Sequence, residues 1–237
     1  MSTKFIELKN ISKFYANNKA LENINLYLNK NEVVGILGLN GAGKSTTLKI
    51  LAGILPPSEG EIYLENECIF SDNKKMSEKK ISLGYLPEFV TFYPELTVKN
   101  FLYFMLTIKN VPKEEQSKQY EEIIRKTNLE DHQDTIIKYL SLGYQKRVGI
   151  AQAISGNSQL IILDEAISGL DPRQIIEIRN LIRNLSKDHT IIISSHILSE
   201  ISQTCDRVYI LHKGKMVAEI QKENLNNLEK IFMEVTQ

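Results

Sequence analysis

The segment from Gly38 to Ser45 has the spacing G-x-x-x-x-G-K-S, and it constrains the fold more than any other feature of this sequence. It follows the continuous apolar run 33–37, which is typical of a strand buried on both faces. It precedes residues 45–52, which are predicted to form a helix. This order of strand, glycine-rich loop and helix is the context that a phosphate-binding loop requires. The sequence therefore predicts an anion site at the carboxyl end of a buried strand.

The residue types within this loop suit the phosphates of a nucleotide. Small residues let backbone N–H groups turn inward as an anion nest, and the helix N-terminus adds partial positive charge. Lys44 is expected to reach the β- and γ-phosphates, and Ser45 to bind Mg²⁺. The alternative is a glycine turn with an exposed lysine, which the flanking strand and helix disfavour. The predicted nucleotide contacts in the loop are Gly38, Asn40, Gly41, Gly43, Lys44, Ser45 and Thr46.

Two more groups of polar residues follow apolar strands. Asp164 and Glu165 come directly after the run 160–163, and His196 follows the run 191–195. An α/β sheet presents such residues to a ligand at the carboxyl ends of its strands. We expect Asp164 to hold Mg²⁺, Glu165 to polarise the attacking water, and His196 to donate to the γ-phosphate. Taken alone, these residues would also fit helix-capping acids and a structural histidine.

Hydrophobic periodicity divides the chain into three kinds of structure. The first thirty residues alternate apolar and polar positions, as a half-exposed antiparallel sheet does. Residues 96–154 change to helical spacing, which indicates a helical insertion. Elsewhere apolar strands alternate with helices, the pattern of a parallel sheet covered on both faces. We therefore predict an α/β fold with a mainly parallel sheet, an antiparallel β subdomain and an inserted α-helical subdomain.

Length, charge and cysteine content exclude several other classes of protein. The chain has 237 residues, and 29 basic residues balance 29 acidic ones, which gives no overall attraction to nucleic acid. Cys68 and Cys205 lack metal-ligand spacing and are expected to be reduced thiols. No apolar run approaches the roughly 18 residues that span a bilayer, so no direct membrane insertion is expected. No Asn-Lys-x-Asp string indicates guanine, which leaves adenine as the expected base.

Further motifs occur in an order that resembles the ATP-binding subunits of ABC transporters along nearly the whole chain. Residues 84–88, Gly-Tyr-Leu-Pro-Glu, resemble the family's glutamine loop, with Glu88 in the position of the glutamine. Residues 140–145, Leu-Ser-Leu-Gly-Tyr-Gln, resemble the signature Leu-Ser-Gly-Gly-Gln. Residues 168–171, Ser-Gly-Leu-Asp, resemble the loop after the catalytic glutamate. Tyr15 stands where the family stacks an aromatic ring on adenine.

The resemblance implies a P-loop NTPase core and an ATPase that works as a dimer with ATP and Mg²⁺. Two copies, or one copy and a close paralogue, would face head to tail, with each ATP between one phosphate loop and the partner's signature. Ser141 and Gly143 would contact the partner's γ-phosphate, and a helix predicted over 144–154 would offer free N–H groups there. Glu88 would contact Mg²⁺ and the γ-phosphate, and Asp171 would belong to the nucleotide site.

The resemblance further implies a motor subunit that drives separate integral membrane permease subunits from the cytoplasmic face of the membrane. Within a single domain over 1–237, residues 1–87 and 156–220 would form the ATP-binding core with the β subdomain. Residues 88–155 would form the helical signature subdomain, and residues 221–237 a short tail. Glu88 in the glutamine position and Leu-Ser-x-Gly-Tyr in the signature are similar to a subgroup that pairs with export-type permeases.

Three departures from the family pattern bear on turnover. Leu142 replaces the first signature glycine and Tyr144 the glutamine, while Ala166-Ile167 stands in the place of Pro-Thr. We expect the loop that contains Ala166 and Ile167 to be less rigid without Pro-Thr, and hydrolysis to be slower for that reason. Because Glu165 and His196 are both present, we still expect an active ATPase. Two alternatives stay open. One is a soluble ABC-type ATPase without a transport role, for example in iron–sulfur assembly, and the other is a regulatory binder that closes on ATP without turnover.

The aromatic run 89–93 and the helix predicted over 98–108 lie where the family receives a cytoplasmic helix of the permease. Apolar anchors beside a mobile loop would suit such docking. The same residues would equally suit the core of the helical subdomain, and the sequence leaves both interpretations open.

Overall fold

The computed structural model describes residues 4–16, 18–71, 81–89 and 93–236. The strands within these ranges are β1 (Ile6–Tyr15), β2 (Asn18–Leu28), β3 (Val33–Leu37), β4 (Glu59–Leu64), β5 (Glu67–Ser71), β6 (Leu83–Leu86), β7 (Leu160–Asp164), β8 (Thr190–Ser195), β9 (Arg207–His212) and β10 (Lys215–Gln221). The α-helices are α1 (Lys44–Leu51), α2 (Val98–Ile108), α3 (Lys113–Thr127), α4 (Leu142–Ile154), α5 (Pro172–Leu185), α6 (Leu198–Thr204) and α7 (Leu228–Val235). Short 3-10 turns cover Glu130–His132, Ile137–Tyr139 and Lys222–Asn227.

The larger sheet has six strands in the order β10-β9-β3-β8-β7-β6. The pairs β3·β8, β3·β9, β7·β8 and β6·β7 are parallel, and only the edge pair β9·β10 is antiparallel. Every residue of β3, β7 and β8 is buried, as expected for central strands that are covered on both faces. The strands therefore end together at one edge of the sheet, and that edge holds the phosphate loop.

The smaller sheet is antiparallel, with the strand order β2-β1-β4-β5. Ile6 pairs with Leu28 on one side and with Leu64 on the other, and all three side chains are buried. These apolar residues belong to a core cluster that also contains Val34 and Leu48, which packs the small sheet against the large one. The predicted α/β fold, with a mainly parallel sheet and an antiparallel β subdomain, is confirmed.

The inserted helical subdomain consists of α2, α3 and α4, which lie between β6 and β7 in the chain. Phe101, Ile123 and Val148, one from each helix, share a second core cluster. The buried Arg147 Nη1 donates to Thr127 O across 3.1 Å, and Nη2 is 2.7 Å from Glu177 Oε2. Arg147 therefore joins α4 to both α3 and α5.

The helix at the signature begins earlier than the sequence predicts. We expected a start at Tyr144, but α4 begins at Leu142 with Ser141 as its N-cap. Ser141 keeps an extended backbone (φ −61°, ψ 160°) while its carbonyl accepts from Gln145 N across 2.9 Å. Gly143 consequently lies inside the first turn, where N–H groups have no partner within the helix.

Both cysteines are free thiols, as predicted. Cys68 is half-buried, whereas Cys205 is fully buried against Gly35 and Ile201. Burial raises the pKa of the Cys205 thiol well above its ordinary value. Cys205 is therefore a packing residue of the core.

Candidate active site

A cavity of about 610 Å³ opens where β3, β7 and β8 end. The loop after β3 forms its floor, and residues that follow β7 and β8 form one wall. Side chains from the β1–β2 hairpin and the β9–β10 turn close the other side. The lining residues are Asn18, Lys19, Ala20, Asn40, Gly41, Gly43, Lys44, Ser45, Thr46, Glu88, Glu165, His196, Lys213 and Gly214. The structure thus gathers most of the predicted nucleotide contacts around one cavity.

The phosphate loop leads into α1 at Gly43, which is the N-cap and has a left-handed backbone (φ 109°). A Cβ at Gly43 would lie 2.6 Å from the Leu21 side chain and 3.1 Å from Ala20 O, so glycine is required there. The α1 N-terminus carries no acidic residue in its first turn. Its first N–H groups, which have no partner within the helix, and the positive end of its dipole therefore favour an anion at this end of the cavity.

Lys44 and His196 approach the carboxylate of Glu165 from different sides. Lys44 Nζ lies 3.4 Å from Glu165 Oε1 and donates to Gly38 O across 2.8 Å. His196 Nδ1 lies 3.0 Å from Glu165 Oε2. A His196 ring that carries a proton on Nδ1 donates a hydrogen bond to this oxygen. Glu165 and Lys44 are buried, whereas His196 is partly exposed to the cavity.

Asp164 is held by three hydroxyl groups. Ser194 Oγ donates to Asp164 Oδ1 across 2.6 Å, and Ser45 Oγ donates to the same oxygen across 3.2 Å. Tyr85 OH lies 3.4 Å from Oδ2. Burial, together with the Asp164 carboxylate, raises the pKa of Tyr85, so its hydroxyl stays protonated and can donate. These bonds fix the direction of the Asp164 carboxylate beside the phosphate loop.

The residues beside the loop offer oxygen atoms that suit a hard cation. Within the part of the chain that the structure describes, no three His, Cys, Asp or Glu side chains cluster as a metal site. An ion here would instead use the Ser45 hydroxyl, the Asp164 carboxylate, Glu88 and oxygen atoms of a phosphate group. This mixture of carboxylate, hydroxyl and phosphate oxygens is the donor set that Mg²⁺ prefers.

Five predicted nucleotide contacts do not line this cavity. One of them is Gly38, whose carbonyl accepts the hydrogen bond from Lys44 Nζ. Tyr15 pairs with Asn18 at the end of the β1–β2 hairpin, beside the cavity, and its ring is 47% exposed. Gly143 and Asp171 line a separate groove of about 310 Å³, and Ser141 is exposed at the start of α4. Asp171 also caps α5, since its Oδ1 accepts from Arg173 N and Gln174 N.

The side chains that depart from the family pattern make contacts within their own chain. Leu142 lies 3.3 Å from the position that a Cβ on Gly169 would take, so it packs against the loop 168–171. The Tyr144 ring lies 3.9 Å from the His132 ring, centroid to centroid. Ala166 and Ile167 are buried in the core. The expected slower hydrolysis stays a prediction.

Sequence analysis missed several residues at this site. Lys19, near the start of β2, and Lys213, in the β9–β10 turn, belong to segments that carry no phosphate-binding pattern, so only the tertiary fold brings them to the cavity. Ser194 left a partial signal in the sequence, because it is a polar residue directly after the apolar run 191–193. Its pairing in register with Asp164 is seen only in the structure. Tyr85 was named only as part of residues 84–88, which resemble the glutamine loop, and was given no role of its own.

Comparison with known proteins identifies the family to which this chain belongs. A sequence model described as "ABC transporter" matches residues 21–168, which is more than half of the chain. The chain belongs to the ABC transporter family. It is an ATP-binding subunit of that family and hydrolyses ATP, as these cassettes do.

Individual relatives of this ABC transporter subunit point to transport. The bacitracin transport ATP-binding protein BcrA of Bacillus licheniformis is 35% identical over 236 residues, which cover 99% of this chain and 75% of BcrA. The lipopolysaccharide export system ATP-binding protein LptB of Haemophilus influenzae is 32% identical over 225 residues, which cover 94% of this chain and 93% of LptB. Bacitracin transport and lipopolysaccharide export are the functions of those two proteins.

The solved structure of the ATP-binding cassette MJ0796 has a similar fold and contains a bound nucleotide. That structure is dimeric, is in a post-hydrolysis state and is bound to ADP and Pi. It matches this ABC transporter subunit with a TM-score of 0.79 at 27% identity, over 92% of this chain and 98% of MJ0796. Over the described residues of this subunit, no helix is both long and apolar enough to cross a bilayer.

Proposed function

We propose that this subunit is the motor of an export-type ABC transporter. ATP closes two cassettes into a dimer, and hydrolysis reopens it to drive a separate membrane permease. The observation that carries the proposal is the contact of Lys44 and His196 with the two carboxylate oxygens of Glu165, at the edge of a phosphate-loop cavity. A lysine for phosphate, a carboxylate for water and a histidine that orients the carboxylate are the parts that phosphoryl transfer to water needs.

In this proposal Glu165 polarises the water that attacks the γ-phosphate. Its carboxylate is buried, so it acts in a site where water is largely excluded and electrostatic interactions are strong. His196 holds Oε2 and keeps its own Nε2 directed away from that contact, available to the substrate. Lys44 leaves the Gly38 carbonyl and Glu165 to pair with the β- and γ-phosphates when ATP binds.

We propose that oxygen atoms of Ser45, Asp164 and Glu88 would hold Mg²⁺ beside the phosphates of the nucleotide. When bound, it neutralises charge on the β- and γ-phosphates. Ser194 and Tyr85 keep the Asp164 carboxylate fixed beside Ser45. The chain itself therefore orients the carboxylate before the ion arrives.

The nucleotide site is proposed to be completed by a second copy or a close paralogue. Ser141 and Gly143 lie outside the cavity of their own chain, at the start of α4. The Ser141 side chain makes no capping bond to its own helix, which leaves its hydroxyl for a phosphate of the partner's ATP. Tyr15, exposed at the rim of the cavity, is proposed to stack on adenine. The dimeric state of MJ0796 supports this arrangement.

The permease is proposed to dock on the outer side of α2. We define the α2 surface as Tyr93, Phe104 and Ile108, which are 56%, 37% and 54% exposed. The Tyr93 and Phe104 rings meet edge to face with centroids 5.2 Å apart. Phe101, on the inner side of α2, is buried in the core, so the proposal assigns docking only to the exposed side of this helix. Residues 90–92 of the predicted aromatic run lie outside the described residues.

The proposal also includes the direction of transport, which is export, and the location of the subunit at the cytoplasmic face of the membrane. Both statements rest on the resemblance of the Glu88 loop and the signature to the export subgroup. They also rest on the similarity to LptB, which belongs to a lipopolysaccharide export system. The assignment of residues 88–155 to one moving helical subdomain belongs to the same proposal. A soluble ABC-type ATPase without a transport role is the competing function.

Capture of the ATP-bound chain from detergent-solubilised membranes tests the transport role. Tagged Glu165→Gln chain with ATP and Mg²⁺ is expected to retain an integral membrane protein in stoichiometric yield. Tagged Lys44→Ala chain, which should not bind ATP, is the matched control and is expected to retain less of it. Recovery of soluble proteins alone, with the chain absent from membranes, would favour the soluble ABC-type ATPase.

A further inference from the structure

Lys146 places an ammonium group in the interior of the subunit, next to the proposed catalytic carboxylate. It lies in the second turn of α4, which begins at the signature, and its side chain is only 6% exposed. Lysine is almost never buried to this extent unless it is paired. No motif in the sequence indicates a role for Lys146.

The ammonium group bridges two segments that meet at the nucleotide cavity. Lys146 Nζ donates to Glu165 O across 3.1 Å and to Glu88 O across 3.2 Å. Burial lowers the pKa of Lys146, and the carboxylates of Glu88, Glu165 and Asp164 act in the opposite direction. Lys146 therefore connects the signature helix to the loop that carries Glu88 and to the end of β7.

The backbone of Glu165 needs such support. Its φ is +48°, the left-handed region that residues other than glycine rarely adopt. Its N–H donates to Ser194 Oγ across 3.0 Å, and its carbonyl accepts from Lys146. Because hydrogen bonds hold both the N–H and the carbonyl of Glu165, they fix the direction in which its side chain projects from the backbone. Without Lys146, the remaining partner of that carbonyl is Ser168 N at 3.3 Å.

We propose that Lys146 is a positioning residue for ATP hydrolysis, whose ammonium fixes the Glu165 and Glu88 backbones relative to the signature helix and so aims the Glu165 carboxylate. The inference rests on the proposed role of Glu165 as the base. The proposed role of Lys146 also links two parts of the subunit, because Ser141 of the signature is the N-cap of the helix that carries Lys146. A tilt of α4 moves Glu165 and Glu88 together, so the position of a chain's own signature affects hydrolysis at its own phosphate loop.

The first test is Lys146→Met, which keeps an unbranched apolar side chain as far as the ε position and removes the donor. We expect kcat for ATP hydrolysis to fall by about 10- to 100-fold, the size of loss that a misplaced reacting group produces. The Kd of a fluorescent ATP analogue should change by less than about two-fold, because Lys44 and the loop bind the phosphates. Lys118→Met, an exposed lysine on α3, is the control and should match the wild type in both measurements.

The second test places Lys146→Met in a Glu165→Gln chain. If Lys146 acts through Glu165, the double variant should hydrolyse ATP no more slowly than Glu165→Gln alone. A further loss as large as that seen in the wild-type background would overturn the inference, as would wild-type kcat in Lys146→Met. Wild-type hydrolysis by Glu165→Gln would instead contradict the proposed base.

A third variant covers the case in which Lys146→Met does not fold. Lys146→Gln keeps a donor amide but is one atom shorter, so it cannot reach both carbonyls. With the melting temperature close to that of the wild type, a reduced kcat and an unchanged Kd would support the inference. Wild-type kcat in this variant would overturn it.

Discussion

Ser194 Oγ donates a hydrogen bond of 2.6 Å to Asp164 Oδ1, its partner in register on the neighbouring strand. The same hydroxyl accepts from the backbone N–H of Glu165 across 3.0 Å. One buried serine therefore holds both the proposed Mg²⁺ ligand and the residue that follows it. This contact makes the carboxyl end of β8 part of the site, although Ser194 itself does not line the cavity.

Ser194→Ala should impair hydrolysis more than nucleotide binding. The substitution frees Asp164 to rotate and leaves a buried N–H without its partner, which costs about 1–3 kcal/mol of the free energy of unfolding. We expect a lower kcat and a higher Mg²⁺ concentration for half-maximal activity, measured by phosphate release across a Mg²⁺ titration. Ser202→Ala, at a partly exposed serine on α6 whose hydroxyl bonds to Ser199 O in its own helix, is the control and should leave both values unchanged. An unchanged Mg²⁺ requirement in Ser194→Ala would contradict the role of Ser194.

Gly84→Ala should loosen the contact between β6 and α4. A Cβ at Gly84 would lie 1.8 Å from Ala153 O, so strand and helix must separate. Overpacking of this kind typically costs about 1–3 kcal/mol, and we expect the free energy of unfolding to fall by at least that amount. Gly53→Ala is the comparison, because Gly53 has φ +68° but nothing within 4 Å, and it isolates the cost of backbone strain. Chemical denaturation of both variants measures the difference, and equal losses would show that crowding at Gly84 is unimportant.

Lys109 gives the stability of the chain a specific pH dependence. Its Nζ donates to the carbonyls of Gln152, Ala153 and Ser155, at the end of α4, and burial lowers its pKa to about 8. The unfolded chain keeps this amine protonated up to its ordinary pKa of 10.5, so between these values the unfolded state binds more protons. The free energy of unfolding should therefore rise with pH, by up to about 1.4 kcal/mol per pH unit from this group.

The comparison of wild type with Lys109→Met isolates that contribution. Denaturant unfolding between pH 8 and pH 10 should show the wild type gaining stability relative to the variant. The exposed Lys118→Met should show no such trend. A constant difference between wild type and Lys109→Met would mean that Lys109 keeps its ordinary pKa.

Phe104→Ala should uncouple transport from ATP hydrolysis if the α2 surface receives the permease. Phe104 lies outside the nucleotide cavity, so the ATPase rate of the isolated chain should stay near that of the wild type. Removal of an apolar anchor from a docking surface should weaken the complex and abolish ATP-driven transport in membranes. Ile54→Ala, at an exposed apolar residue beyond α1, is the control and should transport normally. Normal transport by Phe104→Ala would place the permease contact elsewhere.

The sequence predicted those parts of the fold and site that depend on local pattern. The apolar run 33–37 and the glycine spacing after it located β3, the loop and α1, because the motif and its flanking elements are contiguous. The start of α4 was placed two residues late, because Ser141 caps the helix through its backbone and Gly143 is tolerated inside the first turn. Lys146 was not recognised, since a lysine in a helix carries no sign of the two carbonyls that it meets after folding.

Phosphate release by purified chain with ATP and Mg²⁺, compared between wild type and Glu165→Gln, tests the central claim most directly. Loss of the base should lower kcat by about 100-fold or more while the nucleotide still binds. Glu223→Gln, at an exposed carboxylate in the turn before α7, should match the wild type. Equal rates of phosphate release by the wild type and Glu165→Gln would contradict the assignment of Glu165 as the residue that activates water.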